Sequence, residues 1–80
     1  MKELVLYTRP GCHLCDEMRA GLASLHGKLD FAVREIEVGW EGELAERYGR
    51  LLPVLVLDGE EICHYFLDRA RLMTILVANP

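Results

Sequence analysis

Cysteine is scarce in this chain: there are three in 80 residues, an odd count. That excludes the dense disulfide framework that holds many small secreted domains together. Basic residues are in the minority, with 9 Lys and Arg against 13 Asp and Glu, for a formal charge of −4. A sequence-independent grip on nucleic acid needs clustered Lys and Arg, so no nucleic-acid partner is expected. Glycine (7) and proline (3) are few, and no tract is of low complexity. Collagen-like and disordered classes are thereby set aside. The longest nearly apolar stretch, Leu51 to Leu57, falls far below the roughly 18 residues that a membrane span needs. Met1 to Tyr7 carries a charge at Glu3 and lacks the apolar core of about 7–15 residues found in a secretory leader. The expectation is a soluble cytoplasmic monomer with no membrane partner. In that reducing compartment, paired cysteines usually mean redox chemistry or metal.

Apolar residues make up 51% of the chain and charged residues 28%, enough to build a core. Neither a repeat nor a linker divides the sequence, so residues 1–80 read as one domain. Leu4 to Thr8 predicts a short strand, broken by Arg9-Pro10-Gly11. Leu14, Met18, Leu22 and Leu25 recur at helical spacing and predict a helix from Cys12 to about Leu25, with Gly27 as its stop. Asp30 to Val38 reads as a second strand, and Glu41 to Tyr48 as a short helix closed by Gly49. Pro53 to Leu57 and Glu60 to Phe66 flank Asp58-Gly59, a strong hairpin signal. Asp68 is a good N-cap for a last helix with apolar positions Leu72, Met73, Ile75 and Leu76. The order βαβ–α–ββ–α predicts an α/β fold, a mixed four-stranded sheet flanked by helices, whose first crossover is right-handed.

The chemistry is concentrated in Cys12-His13-Leu14-Cys15, where a loop leaves the first strand and enters the first helix. A C-x-x-C beside a βαβ pattern reads as a dithiol redox motif, and its spacing lets the two sulfurs bond with little backbone movement. Helix entry also activates the first thiol. The positive helix end favours an anion by about 0.3–2 kcal/mol, which at 1.36 kcal/mol per unit lowers a thiol pKa by at most about 1.5. From about 8.5, that brings Cys12 near neutrality. Arg9 is a permanent cation three residues earlier. Asp16 and Glu17 oppose a thiolate at Cys15, so Cys12 is assigned as nucleophile and Cys15 as resolving thiol. Two other readings stand beside this one: a zinc site joining the pair to Cys63 and a histidine, and inert buried cysteines.

Tyr7 to Cys15 resembles the active-site segment of glutaredoxins and glutaredoxin-like proteins. Leu52-Pro53-Val54 resembles the segment that holds a cis-proline in that minimal thioredoxin fold, and Asp58-Gly59 matches its following hairpin turn. The resemblance implies a thiol–disulfide oxidoreductase acting on a disulfide-containing protein or small molecule. It implies a cis Pro53 beside the cysteines, and a Leu52 backbone that pairs with bound substrate. It also implies that Arg9 meets a glutathione carboxylate and Asp68 its amino group. Glutathione-using relatives carry a Gly-Gly pair before the last helix, whereas Ile62 to Asp68 here has no glycine, and Pro-Tyr between the cysteines is replaced by His13-Leu14. No tightly bound cofactor is expected. Glutathione, as co-substrate, or a reductase protein would supply electrons. The alternatives are a protein that holds an iron–sulfur cluster with Cys12 and glutathione, and a non-catalytic interaction module.

Five further residues complete the sequence reading. His13, with an ordinary pKa near 6.5, is a candidate tuning group for Cys12. His26 and His64 read as surface or packing residues. Cys63, mid-strand, reads as a small hydrophobe. Trp40, beside Gly39, reads as a cap on the second helix or as a partner surface.

Overall fold

The alternation of period-two and period-3.6 segments folds as the order of elements requires. The structure is a computed structural model that describes residues 2–78. It contains β1 (Lys2–Thr8), α1 (His13–Leu25), β2 (Phe31–Glu37), α2 (Glu43–Tyr48), β3 (Val54–Leu57), β4 (Glu60–His64) and α3 (Arg69–Ala78). The four strands form one sheet in the order β2-β1-β3-β4. Strand β1 runs parallel to β2, with Thr8 opposite Glu37, and antiparallel to β3, with Tyr7 opposite Val54. The β3–β4 pair is antiparallel. The mixed four-stranded α/β sheet is as the element order predicts.

Side-chain alternation splits the core in two. Leu4, Leu6, Leu55 and Leu57 face Met18, Leu22 and Leu25 of α1 and Leu72 of α3. Val54 and Val56, joined by Val5 and Tyr7, face Tyr48 of α2 on the other side. Tyr7 and Tyr48 stack there with ring centroids 4.2 Å apart. Because strand residues alternate faces, one face is largely leucine and the other valine and tyrosine, and the helices sort accordingly.

Several boundaries differ from the sequence expectation. The buried stripe of α1 is Cys15, Met18, Leu22 and Leu25, while Leu14 is only half-buried. The helix therefore sits one position away from the stripe drawn through Leu14. It ends at His26 in right-handed conformation rather than at a left-handed glycine, so Gly27 is not its stop. Strand β4 ends at His64 because Tyr65 turns out of the sheet with φ +65°. Helix α2 begins at Glu43, after Gly39 and Gly42 at φ +72° and +101°, instead of at Glu41. Met73 is 47% exposed, since one turn of α3 can present Leu72, Ile75 and Leu76 to the core but not their neighbour as well. The Asp58-Gly59 turn has positive φ at both residues, 52° and 80°, as a tight hairpin of this type requires. Asp68 caps α3, its Oδ1 accepting from the Arg71 N–H at 3.0 Å. Among the described residues no helix is long and apolar enough to cross a membrane.

Candidate active site

The sheet topology gathers three loops at one edge. Because β1 and β2 are parallel, their C-terminal ends lie together, and β3, antiparallel to β1, begins at that same edge. Residues 9–12, 38–42 and 49–53 therefore meet although 30–40 positions separate them. The carboxyl ends of parallel strands are where open α/β sheets place their sites.

Cys12 is the N-cap of α1 in extended conformation, φ −82° and ψ 108°. Its Sγ accepts a hydrogen bond from the Cys15 N–H at 3.1 Å, the part that Ser or Asp oxygen plays at other helix starts. Cys12 and Cys15 are joined by a disulfide, with Cα atoms 5.2 Å apart. Cys12 is half-buried, whereas Cys15 is 1% exposed. The pair thus straddles the boundary between surface and core, and Cys15 lies on the apolar stripe itself, not outside it.

The charges on α1 are arranged differently from the bare sequence argument. Arg19 donates from Nη1 to Asp16 Oδ1 at 2.6 Å, and forks Glu35 on β2 through Nε and Nη2 at 2.7 and 3.0 Å. Glu35 first and Asp16 second hold the Arg19 guanidinium well above its ordinary pKa. Asp16 is thus already paired by Arg19, so burial rather than that carboxylate separates Cys15 from Cys12. His13 is exposed, its Nε2 lying 3.8 Å from Glu17 Oε2.

Arg9 is fastened. Its Nε and Nη2 donate to the Gly39 carbonyl at 3.0 and 2.8 Å, its Nη1 to the Gly49 carbonyl at 3.4 Å, and its guanidinium stacks 4.0 Å from the Trp40 ring centre. One side chain thus ties all three loops together. A Cβ on Gly49 would strike the Ala45 carbonyl oxygen and crowd Arg9, so glycine is needed here for close approach.

A cavity of about 280 Å³ opens beside Cys12, walled by Arg9, Trp40, Arg50 and Leu52. The Leu52–Pro53 peptide is cis and Pro53 is fully buried. The Pro53 carbonyl accepts from the Tyr65 N–H at 3.0 Å, while the Leu52 N–H and C=O have no hydrogen-bond partner among the described residues. The Tyr65 hydroxyl donates to the Arg50 carbonyl at 2.9 Å. Arg50 was not singled out from the sequence. The only local signal was its place just ahead of Leu51-Leu52-Pro53, which matters once that loop is known to meet Cys12.

Asp68 is not among the residues lining the Cys12 cavity. It lines a separate cavity of about 730 Å³ between the β3–β4 hairpin and α3, with Leu57, Ile62, Arg71 and Ile75. Cys63 is 9% exposed in the leucine-side core, where burial pushes its thiol up and the Asp68 backbone N–H partly offsets this. Among the described residues no group of three His, Cys, Asp or Glu side chains is placed to hold a metal ion, so the zinc set of Cys12, Cys15, Cys63 and a histidine is not assembled. His26 packs edge-on to Phe31, and His64 bonds Glu61 at 2.7 Å.

Comparison with known proteins agrees with this geometry. A family model described as "Glutaredoxin-like domain" matches residues 3–76. The uncharacterized protein Rv0508 of Mycobacterium tuberculosis is 37% identical over 76 residues, spanning 88% of this chain and 77% of its own length. An uncharacterized protein of Mycobacterium bovis matches with the same figures. The solution NMR structure of protein Ne2328 from Nitrosomonas europaea is similar at a TM-score of 0.85 and 39% identity, covering 94% of this chain and 91% of that one.

Proposed function

Because the chain belongs to the glutaredoxin-like domain family, we propose that it is a thiol–disulfide oxidoreductase of the cytoplasm, with Cys12 as nucleophile and Cys15 as resolving thiol. The observation that carries this reading is the unequal pair at one helix start: a half-buried Cys12 on a cavity, bonded to a Cys15 that is 1% exposed. The positive end of α1 and the Cys15 N–H both stabilise sulfur charge at Cys12.

In the reduced enzyme the Cys12 thiolate attacks one sulfur of a substrate disulfide. The substrate S–S bond breaks, and the other sulfur leaves as a thiolate that takes a proton. Cys15 then loses its proton and attacks Cys12 Sγ, which closes the Cys12–Cys15 disulfide and expels the remaining substrate thiol. Two electrons have passed from the dithiol to the substrate. Two glutathione molecules, or the dithiol of a reductase protein, return them. The unpaired Leu52 N–H and C=O beside Cys12 suit pairing with an extended substrate backbone, and Arg9 and Arg50 suit a substrate carboxylate. His13 acts from the exposed side. Asp68, seated at the other cavity, meets substrate only if the substrate reaches past the cis-proline loop. No bound metal or prosthetic group enters the cycle, and the working unit is a monomer.

The test is the redox equilibrium of the pair in defined glutathione buffers, read by mass after alkylation. We expect a reversible two-electron transition between about −180 and −280 mV. A Cys12 that stays unreactive across that range overturns the reading.

A further inference from the structure

Trp40 is the most exposed large apolar side chain among the described residues, at 75%, yet it is held in place. The Arg9 guanidinium stacks 4.0 Å from its ring centre and is itself bonded twice to the Gly39 carbonyl. A rigid exposed indole has already lost the freedom that binding would otherwise cost. Trp is also the residue type most enriched among interface anchors.

Its surroundings point to the kind of molecule that covers it. The cavity at Cys12 is lined by Arg9 and Arg50. A second cavity, of about 500 Å³, shares Trp40 and Arg50 with the first and is lined by Glu41 and Glu46. The groove therefore runs from cationic beside the sulfur to anionic at the start of α2, with the indole at the junction. Leu52, whose N–H and C=O have no hydrogen-bond partner among the described residues, lines the cationic part. With Trp40 itself 75% exposed, the groove lies at the surface and suits a chain passing along it better than a small molecule that a pocket would bury on most of its area. An extended polypeptide fits all three features.

We propose that Trp40 is a specificity-determining residue that selects disulfide-bearing polypeptides, binding an apolar side chain close in sequence to the substrate cysteine. An acidic residue of the substrate lies on the cysteine side of that contact and a basic one toward α2. This rests on the oxidoreductase reading above. The Cys12 thiolate attacks the peptide sulfur and expels its disulfide partner, and Cys15 then releases the peptide thiol and closes the Cys12–Cys15 disulfide.

Two heptapeptides test it, each with one cysteine carried as a mixed disulfide with thionitrobenzoate and each with the same charges. One has Leu two residues before and after the cysteine, the other Ser at both places. Release of thionitrobenzoate reports consumption of the peptide's disulfide by the reduced protein. The expected result is a rate for the Leu peptide about tenfold above that for the Ser peptide. That ratio falls to about one in Trp40→Ala and recovers in Trp40→Phe. Equal rates for the two peptides in the unaltered protein, or a ratio that survives Trp40→Ala, overturns the proposal and leaves the oxidoreductase reading standing. No release from either peptide overturns both.

A second readout needs no change at Trp40. The chain has one tryptophan, so all indole emission comes from it. In Cys15→Ser, capture of the Leu peptide on Cys12 should move the emission to shorter wavelength, and capture of the Ser peptide should move it less. Identical emission in the two adducts overturns the proposal.

Discussion

Arg9 provides the sharpest test of how the site is built, because as a solvated surface residue it would contribute almost nothing. Consider Arg9→Met, which keeps the apolar stem and removes the guanidinium. Two charged donors are lost from one acceptor, the Gly39 carbonyl, at 3.0 and 2.8 Å. Counted as a single charge-assisted interaction, that is about 1.5–3 kcal/mol. The cation–π contact with Trp40 adds about 0.5–1 kcal/mol for an exposed ring. The Gly49 bond, at 3.4 Å, is long and adds little. Partial solvent access takes the total to about 2–3 kcal/mol, a large share of the roughly 4–12 kcal/mol expected for a domain of this size. At about 4–8 °C per kcal/mol for a small domain, the melting temperature of the oxidised protein should fall by on the order of 10–20 °C. Arg9→Lys should recover only part of this, because an ammonium cannot fork to the carbonyl and lie flat on the indole together. Urea unfolding of the three proteins, followed by far-ultraviolet circular dichroism, measures the difference directly. A loss below about 0.5 kcal/mol, the range of an ordinary surface substitution, would refute the claim that Arg9 ties the three loops.

Two further outcomes follow from burial. In the reduced protein at pH 7, iodoacetamide should modify Cys12 well before Cys15, since one thiol is half-buried at the helix end and the other is 1% exposed; mass mapping that finds Cys15 first would reverse their roles. Cys63 has its thiol pKa raised by burial above the ordinary value, so the folded chain holds that proton to higher pH than the unfolded chain does. Its contribution to stability is complete below about pH 8.5 and is lost as pH rises through the folded value. Unfolding free energy should thus decline more steeply above pH 8.5 in the unaltered protein than in Cys63→Ala, and matching slopes would count against this burial effect.

The alternation of strand and helix was legible in the chain because each period is local: two for Leu4 to Thr8, 3.6 for Met18 to Leu25. The turn at Asp58-Gly59 and the cap at Asp68 were equally local, since each depends on the conformational preferences of one or two residues. So was the placement of Cys12 at a helix entry, and with it the family resemblance. Where local signals misled, a neighbour outside the segment decided. Leu14 and Cys15 are both apolar enough for a core stripe, and the folded helix buries Cys15 with Met18, Leu22 and Leu25. Nothing between Ile62 and Phe66 announces that the strand stops at His64; the turn at Tyr65 is held by its bonds to Pro53 and Arg50.

The class of fold, the order of its elements and the candidate cysteine pair can be read along the chain, because these rest on spacing within single elements. What surrounds Cys12 is set by how those elements pack. Arg9 reaches carbonyls 30 and 40 residues away, and Trp40, Arg50 and Leu52 line one cavity with Cys12 because a parallel and an antiparallel pairing bring three strand ends to one edge. That juxtaposition is a property of strand order and register, which no single segment of the chain encodes.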